Sequence, residues 1–445
     1  MRAFHLLAAL GALAAPAIAS AASVDASSTT AVSTSNQPRY RGGTGLDNVT
    51  VSPALEIISV RARDLEVKGF DELQLVVSGF GSLDLDSQRS DRGTKTAGAA
   101  DLSTGYVEGL LAGRRLTLRL GRTQITSAAA SGVQQIDGAQ ARALLAAGFQ
   151  LSAYCGAPVS QRVTSRKTGS SWNPNAGSVA YGGRVGWSLS APGLPGRGVD
   201  LGVSVSMVDQ GSNNPVRRDL GADFRLQPLI RSNLTVSGNA TYGLYDSRLA
   251  QAVLLLTWTP LVPLDVSADW RFAAPDLLLP RNSVLSVFSA SEWQELGGGL
   301  HLRAAERVTL GADYHVRLEP GKDGDDAGHI GHDAVARASW APGRTLLVAE
   351  GFLLSARDNG YVGGRLSGRQ DLDPFFLSAD VEGHSFRVEV NGKDYDLTGT
   401  LSGGTALGHG FSGVLSGRAF TSPYTDHGYE LMAKLVFDTS GKGGR

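Results

Sequence analysis

The side chains best suited to chemistry in this sequence are charged groups that recur at every second position of otherwise apolar segments. Arg119, Arg184, Asp223, Arg225, Asp269, Arg271, Arg303, Asp313, His315, Arg317, Arg337 and Arg387 are the candidates, joined by Asp219, His301, Arg365, Asp380 and Glu389. So spaced, they form a charged face and do not converge locally on one point. A charged face along a water-filled passage sets what passes. Arginine far outnumbers lysine on it, and a planar guanidinium suits carboxylate or sulfate groups. The alternative is that these groups pair across neighbouring strands and simply hydrate an interior. The chain has no Gly-x-Ser-x-Gly and no His-Glu-x-x-His motif, so no catalytic residue, metal ligand or cofactor is predicted. The acidic stretch Lys322-Asp323-Gly324-Asp325-Asp326, with His329 and His332, lacks the spacing of a calcium loop and reads as a solvated loop.

The elements that carry this face read as β-strands. Leu264, Val266, Ala268, Trp270 and Phe272 fall on one side of a strand, Asp265, Ser267, Asp269 and Arg271 on the other. The rule repeats: Leu220, Ala222, Phe224 and Leu226 oppose Asp219, Asp223 and Arg225, and Leu310, Ala312, Tyr314 and Val316 oppose Thr309, Asp313, His315 and Arg317. Near the end, Phe386, Val388 and Val390 are read as opposing Arg387 and Glu389. Strands with one oily and one wet side suit a transmembrane antiparallel up-and-down β-barrel, with lipid outside and water inside.

Connections and aromatics agree. Short turns at Ala112-Gly113-Arg114, Ala147-Gly148, Ala304-Ala305-Glu306 and Ala341-Pro342-Gly343 alternate with long polar loops near 86–100, 156–177, 274–290 and 318–331. That asymmetry is expected of outer-membrane barrels, whose short turns are periplasmic. Trp187, Trp258 and Trp340 lie on the oily parity just before short connections, Tyr242 and Phe272 at opposite strand ends, as two interfacial girdles require. The alternation parses into about 21 strands. A barrel with both ends on one side needs an even number, and about 18 is expected, within 16–20.

Composition bounds the rest. Gly makes up 57 of 445 residues and charged residues 19%, a turn-rich, charge-poor sheet protein. The net charge of -1 argues against a nucleic-acid partner. Residues 1–22 read as a cleaved signal peptide, whose apolar run of about 13 residues falls short of the roughly 20 needed to span a bilayer as a helix. Residues 23–70 read as a flexible linker followed by a periplasmic segment or plug, 71–437 as the barrel and 438–445 as a tail. Expected partners are outer-membrane lipid and the barrel assembly machinery, and the expected location is the outer membrane of a Gram-negative bacterium. The single Cys155 excludes an internal disulfide.

One local pattern carries a resemblance. Leu-Thr-Leu-Arg-Leu-Gly-Arg at 116–122, then Ile136-Asp137-Gly138, then Phe149-Gln150-Leu151-Ser152-Ala153-Tyr154, resembles the start of alginate-export-type outer-membrane barrels and is similar to the exopolysaccharide-secretion barrels of myxobacteria. The resemblance implies an 18-stranded barrel that conducts an anionic or neutral polysaccharide outward. It implies periplasmic polysaccharide-export proteins as partners, and it places Arg119 and Arg122 near the pore wall. A general or anion-selective diffusion porin is the alternative reading, and a barrel hydrolase a lesser one.

Overall fold

The computed structural model describes residues 21–41, 45–85, 98–127, 129, 133–159, 178–190, 198–210, 214–227, 233–278, 292–321, 328–357 and 359–439. Residues 1–20, most of the stretch read above as a signal peptide, the acidic loop at 322–326 and the last six residues lie outside them. Among the described residues no helix is long and apolar enough to cross a membrane.

The chain folds into one antiparallel sheet closed on itself. Strand β1 (Ala21–Arg41) pairs through residues 21–32 and 35–41 with β2, which runs as two segments, Gly45–Val51 and Pro53–Leu65. There follow β3 (Glu72–Asp84), β4 (Gly98–Leu111), β5 (Leu116–Thr126), β6 (Val133–Leu144), β7 (Phe149–Pro158), β8 (Ser178–Ser190), β9 (Gly198–Gln210) and β10 (Asn214–Gln227). Next come β11 (Asn233–Gly243), β12 (Arg248–Leu261), β13 (Leu264–Ala273), β14 (Trp293–Ala305), β15 (Val308–Glu319) and β16 (His329–Trp340). The last six are β17 (Thr345–Ser355), β18 (Gly360–Asp371), β19 (Phe375–Val390), β20 (Lys393–Gly408), β21 (Phe411–Ser422) and β22 (Thr425–Asp438). Each pairs with the next, and residues 27–35 of β1 pair with 430–438 of β22 to close the ring. Closure leaves no free sheet edge, which a lipid-embedded sheet requires.

The barrel therefore has 22 strands, not about 18. Twenty strands lie from residue 72 onward, close to the alternation count. The other two come from the stretch read above as linker, periplasmic segment or plug. Residues 21–41 carry few large apolar side chains and so give almost no parity signal. They are held as a strand by backbone pairing on both sides, to β2 and to β22. In the 373–402 region, Glu382-Gly383-His384 lies within the continuous β19, and the turn follows at Asn391-Gly392. Both turn residues have positive φ, 52° and 77°, as a two-residue hairpin of matching twist demands.

The apolar parity is the exposed one. Leu366, Leu401 and Leu415 are each at least 65% exposed, where a soluble sandwich would bury them. The short turns predicted after β4, β6, β14 and β16 all fall at one end of the barrel, the long connections after β3, β7, β13 and β15 at the other. Trp187, Trp258 and Trp340 sit at the short-turn end, Tyr242 and Phe272 at the opposite end. Trp187 donates its indole N–H to the Ala147 carbonyl in the turn below it, at 3.1 Å.

A carboxylate interrupts the outer face on β2. Glu56, near the middle of β2, shares its parity with Ile58 and Val60, opposite Thr30 of β1 and Gly81 of β3. The hydroxyls of Ser28, at 2.5 Å, and Thr30 donate to its carboxylate. A carboxylate on the lipid side is costly, and donors on the neighbouring strand offset part of that cost.

Candidate pore lining

Inside the barrel, glycines on one strand make room for charged side chains of the next. Arg184 on β8 lies across Gly202 of β9 and reaches Asp223 on β10, with Nε to Oδ1 at 3.0 Å and Nη2 to Oδ2 at 2.5 Å. Its Nη2 also meets Asp200 Oδ1 at 2.9 Å. A Cβ at Gly202 would collide with the guanidinium, so the fork geometry depends on that glycine. Arg225 pairs in register with Asp200 and is exposed to the same side.

A second group spans β13 to β15. His315 Nε2 meets Asp269 Oδ1 at 2.9 Å, and Arg271 lies 2.8 Å from Asp269 Oδ2 and 3.4 Å from Glu295. One layer along, His301 Nε2 is 3.5 Å from Asp313. Arg317 is 3.4 Å from Glu319 and stacks over the Trp293 ring at 4.3 Å. Arg303 lies exposed next to the short turn at 306–307.

The third group lies on β16 to β19. Arg337 pairs with Glu350, and Arg365 with Asp380 at 2.6 Å, with Glu350 at 3.8 Å and Glu382 at 3.9 Å. Arg387 stands apart: it reaches the carbonyls of Ala356, at 3.2 Å, and Arg357 at the loop end. The parity reading of its strand inverts here. Phe386 pairs with Tyr361 and contacts the rings of Tyr361 and His384, on the side of Glu382 and Arg365. Two residues that sequence reasoning did not single out complete this patch: Phe352, 4.9 Å from the His384 ring, and Asp396, 2.6 Å from its Nδ1.

Arg119 faces inward, with Nε donating to Glu108 at 2.9 Å and its guanidinium 4.4 Å from the Tyr106 ring centre. Arg122 does not share its position. It lies on the parity of Leu118 and Leu120, is only 2% exposed, and is clamped by Asp137 at 2.7 Å and Asp101 at 3.0 Å. Gly121, with φ of 123°, lets β4 and β5 approach closely beside it. The Leu-Gly-Arg and Ile-Asp-Gly segments of the sequence pattern are thus joined by one ion pair, from the buried Arg122 to the partly exposed Asp137.

The inner face also carries aromatics that alternation hid. Besides the Tyr106 and Trp293 pairs, Arg369 stacks over Phe376 at 4.2 Å and Arg418 over Phe420 at 5.0 Å. Toward the long-loop end, Ile125, Ile136, Tyr154 and Ala180 pack together with Val208 on the inner side of β5 to β9. Tyr154 donates to Ser206 at 2.8 Å, and the Ala129 amide donates to Ser204 at 3.0 Å. Ala129, beyond the end of β5, therefore lies against the inner side of β9. The signal that was available was composition: Ile125 and Ile136 are apolar on a parity otherwise polar.

No family model matches the chain, and no curated protein matches it. Solved structures do. The siderophore receptor PirA from Acinetobacter baumannii aligns with TM-score 0.56 at 9% identity, over 93% of this chain and 80% of that one. The ferric enterobactin receptor PfeA from Pseudomonas aeruginosa aligns with TM-score 0.54 at 10% identity, over 93% and 81%. OccK2 of Pseudomonas aeruginosa, solved with glucuronate, aligns with TM-score 0.41 at 12% identity, over 94% and 98%. The chain has an antiparallel closed β-barrel fold like that of the PirA and PfeA receptors.

Proposed function

We propose that this protein is a passive outer-membrane channel for hydrophilic solutes, without catalytic chemistry. The observation that carries this reading is the two-sided wall: an exterior of exposed Leu, Val and Trp, and an interior of arginines and carboxylates paired across three groups of strands. Paired charges of both signs leave a hydrated, mixed-field lumen that passes small polar solutes without strong charge selection. Single-channel recording of the purified protein in planar bilayers tests this. Stable conductance steps that depend weakly on ion sign support it; a protein that inserts yet conducts no ions sinks it.

A second reading, outward passage of an anionic or neutral polysaccharide handed over by periplasmic export proteins, draws support from the inner Arg-over-aromatic pairs at Tyr106, Trp293, Phe376 and Phe420. Aromatic faces stack on sugar rings while guanidinium groups meet their carboxylates or hydroxyls. Oligosaccharides that interrupt the conductance with measurable dwell times favour this reading. Normal surface polysaccharide after deletion of the gene removes it.

A further inference from the structure

We propose that Asp269, Glu295 and His315 form a binding site for one divalent transition-metal ion on the lumen wall. The three residues sit on the adjacent strands β13, β14 and β15, and one ligand atom from each lies within 4.8 Å of the other two. Metal–ligand bonds of about 2.1 Å place neighbouring ligands about 3 Å apart, so small side-chain rotations close the set. One imidazole and two carboxylates suit zinc, cobalt, nickel, manganese or ferrous ions better than calcium or magnesium. The lumen side leaves coordination positions for water.

Burial and charge separate this group from the other ion pairs of the wall. The side chains of Asp269, Glu295 and His315 are 7%, 14% and 16% exposed. Among the described residues, the guanidinium ion-paired with these two sequestered carboxylates is that of Arg271, which is 47% exposed; Arg317, opposite Glu295 in the register, pairs with Glu319 instead. Although Arg271 Nε is 2.8 Å from Asp269 Oδ2, that oxygen accepts no hydrogen bond among the described residues. That buried oxygen is therefore met by an ion pair out of hydrogen-bond alignment, an arrangement a better-placed cation would improve. Gly297, directly between Asp269 and His315 in the register, is what brings them together, since a Cβ there would strike the imidazole. The inference concerns the wall of β13 to β15 and stands whichever solute the channel passes.

The test uses the untagged full-length protein, folded in detergent micelles and titrated with cobalt(II) chloride. Equilibrium dialysis reads stoichiometry, and visible ligand-field absorption reads coordination. The expected result is one cobalt ion per chain, displaced by zinc, with affinity reduced at least about tenfold in Asp269→Asn and in His315→Ala. Arg271→Ala keeps all three ligands and removes the competing guanidinium, so it binds cobalt more tightly than the wild type. Should Asp269→Asn fail to fold, His315→Ala and Arg271→Ala decide alone, with folding followed by heat-modifiable migration. Wild-type protein that binds no cobalt, or binds it no better than His315→Ala, overturns the proposal, as does weaker binding by folded Arg271→Ala.

Discussion

Arg184 reaches Asp223 by lying across Gly202, so two charges two strands apart are joined over a residue with no side chain. The same device recurs where His315 overlies Gly297 and Asp313 overlies Gly299. Glycine on the inner face of this barrel is the room into which the charged groups fold, and the pairing pattern of the wall depends on it.

Gly202→Val is therefore expected to destabilise the barrel by about 1–3 kcal/mol, because the branched side chain displaces the guanidinium. Urea titration of the refolded protein measures this, with Gly399→Val as the control, since a Cβ at Gly399 meets nothing within 4 Å. Equal losses in the two variants would remove the explanation.

Asp223→Asn leaves Arg184 with Asp200 as its one charged partner among the described residues. The lumen wall gains one net positive charge, and the channel is expected to shift toward anions, read as a change in reversal potential across a salt gradient. An unchanged reversal potential would place this group off the ion path.

Arg122→Ala is expected to cost about 1–3 kcal/mol, because it removes the guanidinium shared by Asp101 and the partly exposed Asp137. Its selectivity, by contrast, stays that of the wild type, since Arg122 is on the parity of Leu118 and Leu120. Equilibrium unfolding and the reversal potential, measured on the same preparation, separate this from a lumen role.

Tyr154→Ala removes the largest member of the inner apolar cluster and its bond to Ser206. The expected outcomes are a loss of about 3 kcal/mol and a larger single-channel conductance. Conductance equal to that of the wild type would show that this cluster does not narrow the path.

On the outer face, Glu56 and the hydroxyls of Ser28 and Thr30 are expected to be coupled. Replacing both hydroxyls by Ser28→Ala and Thr30→Ala costs about 1–3 kcal/mol when Glu56 is present, and about nothing when Glu56→Leu removes the carboxylate. A double-mutant cycle in refolding experiments gives the coupling directly.

The sequence by itself determined the two-faced strands, the oily exterior with its Trp187, Trp258 and Trp340 ring, and the alternation of short and long connections. These follow from a period of two, and each strand reports it locally. The strand number did not follow, because β1 has few large side chains to mark its faces and is recognised only by its pairing to both β2 and β22. Parity also misplaced the end of β19, where Phe386 faces the side of Glu382 and Arg387 meets loop carbonyls. Only the tertiary structure decided which charges meet. Asp269, Glu295 and His315 lie far apart in the sequence, and their meeting depends on strand register and on the space left by Gly297, neither of which a single strand can report.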